Sequence, residues 1–340
     1  MSHPMPSGAL REPEARENPH DRLAAMLAPK LTDVQRIIDE RMGSAAAPRI
    51  PEVTSHLVNA GGKRLRPMLC LAAAAMIGDA RGNDAKLGAT VEFIHTATLL
   101  HDDVVDDARQ RRGRPTANLL WDNTSSVLVG DYLFARAFQL MVECGSLRVL
   151  GILSDAAATI AEGEVLQLTA QRNLGVDEGT YVRIARGKTA ALFAAACEAG
   201  ALVAGADDAA AEAFRSYGDA LGIAFQIADD LLDYAGDSAA TGKAVGGDLA
   251  EGKMTLPVIK SVATGEDRAF WERVVRRGDM RDGDLETALA VFERHGALEG
   301  TRRQALDWSA RARGALAPLP DQPLRSVLLD LADYVVARIS

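Results

Sequence analysis

Two segments of this chain carry the same pattern of aspartates inside apolar helical sequence, and that repetition restricts the fold more than any other feature. LLHDDVVDDARQRRG, from Leu99 to Gly113, places Asp102, Asp103 and Asp106 at i, i+1 and i+4; GIAFQIADDLLDYAGD, from Gly222 to Asp237, repeats the spacing with Asp229, Asp230 and Asp233. On a helix, at about 100° per residue, Asp102 and Asp106 stand about 40° apart and Asp103 about 60° beyond Asp106, which predicts three carboxylates on one face. Phe93, Ile94, Leu99, Leu100, Val104 and Val105 flank the first set, so the segment reads as packed rather than as a solvated helix end. Like charges this close raise one another's pKa unless a cation neutralises them, and all-oxygen ligation suits a hard ion such as magnesium. Two such helices, more than a hundred residues apart in sequence, predict two carboxylate walls facing one cavity with metal ions between them.

The rest of the chain agrees with an all-α fold. From Asp21 onward Ala, Leu, Glu and Arg dominate in helical periodicity, and aromatic residues make up only 5%, few for a β-rich core. Gly, Pro, Asn and Asp clusters separate about ten or more helices of one to two dozen residues, with no βαβ alternation and no linker in the middle. The expectation is one bundle over residues 21–340 around a central cavity, preceded by a Pro- and Glu-rich flexible lead over residues 1–20.

Charge and cysteine usage exclude several classes. A net charge of -9 argues against nucleic acid as a partner, so any anionic ligand has to be held by local basic residues. Cys70, Cys144 and Cys197 are odd in number and fit no metal spacing; buried thiols in a reducing, cytoplasmic compartment are expected. The N-terminus lacks an apolar signal core and no run is long enough to span a bilayer, which leaves at most a surface visit to a membrane.

Basic segments complete the pattern. GGKRLRP, Gly61 to Pro67, is a Gly-rich turn entering a helix with Lys63, Arg64 and Arg66 at its mouth, a place where backbone donors and cations suit a phosphate. Arg111 and Arg112 follow the first aspartate motif. Lys188 sits beside a glycine, and Lys243 and Lys253 lie in the loop TGKAVGGDLAEGKMTLP after the second motif, able to fold over whatever the metals hold. Carboxylate-bound metals with several cations describe a polyphosphate site.

In order along the chain, GGKRLRP, EFIHTATLLHDDVVDDARQRRGRPTAN, the GDYLFARAF segment, AEGEVLQL, GKTAALF, FQIADDLLDY and GKAVGGDLAEGKMTLP resemble the trans-type polyprenyl diphosphate synthases, above all the octaprenyl to decaprenyl members that make quinone side chains. The resemblance implies an isoprenoid-synthase fold and a homodimer. It also implies successive condensations of isopentenyl diphosphate onto an allylic diphosphate such as farnesyl diphosphate. Asp102, Asp106 and Asp229 would ligate three magnesium ions, with Asp103, Asp230 and Asp233 in support; Arg111, Lys188, Lys243 and Lys253 would grip the allylic diphosphate. Lys63, Arg66, His95 and Arg112 would bind isopentenyl diphosphate, while Thr189, Gln226 and the Lys188 carbonyl would stabilise the allylic cation.

Product length follows from the space below the first motif. The family places bulky aromatics four or five positions before the first Asp when products are short; Thr98 and Ala97 stand there instead, so a deeper floor at Phe138, Met141 or Leu153 is expected. A geranylgeranyl-length product is the alternative. His95, His101 and Asp102 could also be drawn as an HD-type metal phosphohydrolase, but that leaves the second aspartate motif and GGKRLRP without roles. A terpene cyclase would lack the GGKR and RRG elements, and a non-catalytic subunit would be expected to have lost acidic residues. His101 reads as a packing residue, Asp107 and Arg109 as bystanders, and the helices after Pro257 as closing the bundle.

Overall fold

A computed structural model of the chain describes residues 18–58, 61–234 and 245–339. The described helices are α1 (Pro19–Met26), α2 (Ala28–Met42), α3 (Arg49–Val58), α4 (Leu65–Ile77), α5 (Asn83–Val105), α6 (Ala117–Leu120), α7 (Asn123–Glu143), α8 (Leu147–Ala170), α9 (Glu178–Ala185), α10 (Ala191–Val203) and α11 (Asp208–Leu232). After the second aspartate motif come α12 (Gly247–Glu251), α13 (Leu256–Ala263), α14 (Arg268–Trp271), α15 (Asp284–Arg294), α16 (Ala297–Ala315) and α17 (Pro323–Ala337). Their starts follow from short polar caps: the side chains of Asn18, Asp122, Ser146, Asp177 and Asp207 accept backbone N–H groups in the first turns of α1, α7, α8, α9 and α11.

The helices wrap α10, which packs against α4, α5, α8 and α11. Its run of alanines is what lets neighbours come so near. A Cβ on Gly218 of α11 would stand 2.5 Å from the Phe193 carbonyl oxygen, and one on Gly222 would stand 2.5 Å from the Ala190 Cα. Small residues therefore bring α10 and α11 to near backbone contact, setting where the second motif emerges. Beyond α11 an aromatic stack closes the bundle. Trp271 and Phe292 lie stacked with centroids 5.7 Å apart, and Tyr234 meets Phe292 edge-on at 5.1 Å. α16 packs along α11, and α17 lies against α1, α4 and α11.

One short ladder interrupts the helices. Gln110–Arg111 pairs antiparallel with Arg114–Pro115 around a turn whose central residues, Arg112 at φ 53° and Gly113 at φ 73°, are both left-handed. Two adjacent left-handed residues are what a tight hairpin demands, and the Arg-Gly pair supplies them.

Candidate active site

α5 delivers the first motif at its C-terminal end. Asp102 is half-buried and Asp106, which caps the helix, is exposed, whereas Asp103 is fully buried. Arg111 Nε and Nη2 both donate to Asp103 Oδ1, at 2.8 and 2.7 Å. The expectation of three carboxylates on one face thus fails at Asp103. It stands about 100° from Asp102 on the helix, and the hairpin's guanidinium captures it.

The second motif divides in the same way. Asp229 is exposed, while Asp230 is buried and accepts the Tyr181 hydroxyl at 2.6 Å and Gln226 Nε2 at 2.7 Å. The Thr189 hydroxyl donates to Gln226 Oε1 at 2.6 Å, so one chain of hydrogen bonds fixes the amide of Gln226 and ends on Asp230. Asp233 accepts the Asp248 backbone N–H at 3.0 Å, which ties the start of α12 to the end of α11.

Environment separates these acids. Burial foremost, with Glu164 adding, pushes the Asp102 carboxyl up to about 7 against the pull of Lys188 and Arg111. Burial and then the charge of Asp248 push Asp230 up to about 7 in spite of its two hydrogen bonds. Asp102 is therefore an oxygen donor in a setting that disfavours its charge, and a divalent cation would reverse that balance. The donor chemistry fits a hard ion held by Asp102, Asp106 and Asp229.

Cations surround the two walls. Lys188 and Thr189 lie in a π-helical turn, Arg186–Ala190, between α9 and α10, and Lys188 Nζ sits 2.8 Å from Glu164 Oε2 on α8. That turn presses on α8: a Cβ on Gly163 would stand 2.7 Å from the Lys188 nitrogen, and one on Gly187 would stand 2.8 Å from the Gly163 Cα. Lys253 pairs with Glu251 at 2.6 Å and with Asp248 at 3.2 Å. Burial opposes its charge, yet Asp248, Glu251 and Asp106 of the first motif hold its pKa above the ordinary value. The Lys253 ammonium is therefore within electrostatic reach of Asp106 at the end of α5.

The basic turn before α4 forms a second cluster. Burial foremost, then Arg66, Arg112 and Arg111, keeps the His95 pKa well below its ordinary value, so its neutral ring can accept from Arg66 Nη1 3.2 Å away. Burial lowers Arg66 to about 10, and its guanidinium lies over the Phe193 ring at 4.6 Å. Arg112, at the hairpin tip, donates to the Gly61 carbonyl, and a Cβ on Gly62 would stand 2.9 Å from its Nη1. Burial lowers the pKa of Lys63, with Arg338 acting in the same sense and Asp229 opposing. This cluster thus adjoins the second motif, and the C-terminal Arg338 joins it.

Several residues here escaped sequence reasoning. Glu164, the partner of Lys188, stands in AEGEVLQL, a segment quoted without a role for its acid. Asp248 stands, like Lys253, in the quoted loop after the second motif, where its acid had no role; Tyr181 and Arg338 had no spacing signal, because each reaches the site only through tertiary packing. Lys243 lies outside the described residues. His101 packs beside Phe134 and lies 3.1 Å from the Val127 carbonyl, while Asp107 and Arg109 are exposed. Among the candidates for the tunnel floor, Met141 and Leu153 are buried, but Phe138 is 43% exposed on the outer side of α7. Phe138, three residues before Met141 and about 60° from it around α7, is thus too exposed to act as a floor within one chain. Ala97 is fully buried, and the Thr98 hydroxyl donates back to the His95 carbonyl at 2.8 Å.

Known proteins share this fold. The polyprenyl synthetase family model matches residues 47–292. The chain is 41% identical over 320 residues to the octaprenyl diphosphate synthase of Escherichia coli, covering 94% of this chain and 98% of that one. It superposes with TM-score 0.92 and 62% identity on a decaprenyl diphosphate synthase from Rhodobacter capsulatus, over 94% of this chain and 99% of that one. A polyprenyl synthase from Caulobacter crescentus, complexed with calcium and isoprenyl diphosphate, superposes with TM-score 0.90 and 47% identity, over 94% and 98% of the two chains. Full-length likeness together with two aspartate motifs backed by clustered cations leads to one assignment: the chain belongs to the polyprenyl synthetase family and is a prenyltransferase of the polyprenyl diphosphate synthase type.

Proposed function

We propose that the protein extends an allylic diphosphate such as farnesyl diphosphate with isopentenyl diphosphate to a long all-trans polyprenyl diphosphate. The range is octaprenyl to decaprenyl, with decaprenyl favoured by the 62% identity to a synthase of that name. The observation that carries the reading is Lys253, tied to Asp248 and Glu251 after the second motif and within electrostatic reach of Asp106 in the first. Both carboxylate walls then serve one diphosphate.

Asp102, Asp106 and Asp229 are the residues to hold magnesium, which when bound neutralises charge on the leaving diphosphate. Arg111, kept in place by Asp103, joins Lys188 and Lys253 in drawing off the negative charge that develops as the allylic C–O bond breaks. Lys63, Arg66, Arg112 and neutral His95 seat the second diphosphate, so that the isopentenyl double bond faces the cation. Thr189 and Gln226, locked by the hydrogen-bond chain to Asp230, present oxygen dipoles to that cation. Loss of one proton to the departed diphosphate completes each five-carbon step. Apolar walls keep water from quenching the cation.

Two copies form the working unit in this reading, supported by the exposed apolar residues Leu128, Phe138 and Val142 of α7 and Val165 and Leu168 of α8. No described helix is long and apolar enough to cross a membrane, and the three described cysteines are free, which supports a cytoplasmic enzyme that meets the bilayer only to release product. A role in making a quinone side chain follows from the product.

The direct test incubates the purified protein with magnesium, farnesyl diphosphate and isopentenyl diphosphate and sizes the dephosphorylated products. Octaprenyl to decaprenyl alcohols are expected. Folded protein that elongates nothing would overturn the reading, and a ceiling at geranylgeranyl length would replace it by the short-chain alternative.

A further inference from the structure

Far along the chain from the aspartate motifs, the loop between α13 and α14 meets the end of α15 in a second group of possible ligands. Glu266 and Asp267 stand on the loop and His295 caps α15, with one ligand atom from each within 4.8 Å of the others. The His295 side chain is only 4% exposed, and its Nε2 is buried without a hydrogen-bond partner. It nevertheless lies 3.3 Å from Glu266 Oε2 and 3.3 Å from Asp267 Oδ2.

The hydrogen bonds around Thr264 favour one tautomer. The Thr264 hydroxyl donates to the Ser261 carbonyl at 2.8 Å, so toward His295 Nδ1, 3.5 Å away, its oxygen can only accept. With a proton on Nδ1, the lone pair of Nε2 in a neutral ring would face the two carboxylates. Three electron-rich atoms converge, and a cation between them is what the arrangement calls for. A proton on Nε2 would serve if an oxygen lay along the N–H direction, but neither oxygen makes a hydrogen bond with that nitrogen. Separations of 3.3 Å between ligand atoms are instead what bonds of about 2.1 Å to a common ion produce at angles of about 100°.

The geometry points to a structural binding site for a divalent transition ion of the zinc type, formed by His295 Nε2, Glu266 Oε2 and Asp267 Oδ2. Imidazole with two carboxylates suits zinc, cobalt or nickel, whereas magnesium favours all-oxygen ligation, so the site is chemically distinct from the aspartate motifs. Arg294 also pairs with Asp267 Oδ2, and on ion binding its guanidinium would shift to the free Oδ1 of the same carboxylate. The bound ion would staple the α13–α14 loop to the end of α15. It would take no part in the prenyl transfer chemistry, because these segments carry none of the residues assigned to it.

The test uses the full-length protein freed of metal with EDTA and returned to buffer with excess magnesium, which occupies the aspartate motifs. Zinc chloride is titrated by calorimetry into the parent, His295→Gln and Glu266→Gln, with thermal melting and elongation assayed in parallel. The parent should bind one more equivalent of zinc than His295→Gln and gain melting temperature with zinc, and Glu266→Gln should bind it at least tenfold more weakly. Elongation in magnesium should be the same in all three. Glu266 is 68% exposed in its side chain, so its variant decides the matter if His295→Gln fails to fold. Equal zinc stoichiometry and affinity in the parent and every folded variant would overturn the proposal.

Discussion

Arg111 and Asp103 form an ion pair in which Nε and Nη2 of the guanidinium both approach one carboxylate oxygen, at 2.8 and 2.7 Å, with the aspartate fully buried. The middle acid of the first motif thus faces an arginine. Asp103→Ala leaves a guanidinium beside an emptied, water-poor site and should cost about 3 kcal/mol of stability, read by urea unfolding. Asp103→Asn should fold, with KM for the allylic diphosphate raised at least as much as in Arg111→Lys. If Asp103→Asn instead lost magnesium dependence with KM unchanged, the carboxylate would be a metal ligand.

Gly163 lies against the π-helical turn that carries Lys188 and Thr189. A methyl group there meets backbone, which cannot swing aside, so Gly163→Ala should shift the turn and destabilise the protein by about 1 to 3 kcal/mol. Turnover should fall at least tenfold, with a smaller change in KM for isopentenyl diphosphate. Steady-state kinetics beside a melting curve separate the two effects, and Gly151→Ala, which meets nothing within 4 Å, is the control.

Product length should respond to the buried candidates alone. Met141→Ala and Leu153→Ala, at 1% and 0% exposure, should lengthen the product distribution by one or more units, while Phe138→Ala should leave it unchanged and weaken self-association. Ala97→Phe should shorten it by filling space beside the first motif. Chromatography of the dephosphorylated alcohols reads all four, and unchanged profiles in both Met141→Ala and Leu153→Ala would place the floor elsewhere.

The acid limit should follow Asp284. Paired hydrogen bonds from Arg273, at 2.6 Å to each carboxylate oxygen, hold its pKa down to about 2, with the Arg281 backbone N–H helping. A folded pKa below the unfolded value of about 4 gives stability that is present above pH 4 and lost as pH falls toward 2. Asp284→Asn should remove that contribution, lowering stability at neutral pH by about 1 to 3 kcal/mol and flattening its fall between pH 4 and 2. Chemical denaturation at several pH values measures it; parallel curves for parent and variant would count against the pair.

The helical periodicity determined the all-α class, and the aspartate spacing with the cations beside glycines picked out most residues of the candidate site. Such features are local, written within one or two turns of helix. Tertiary structure decided what each charge faces. Asp103 and Asp230 look alike in sequence to their neighbours, yet one meets Arg111 and the other Tyr181 and Gln226, because a hairpin and two separate helices deliver those partners. Glu164 and Arg338 entered the site for the same reason, and Phe138 is exposed while Met141 is buried because the burial of a helix face depends on what packs against it. Periodicity fixes which residues share a face, while the choice of partner belongs to segments up to hundreds of residues away, and only their packing makes it.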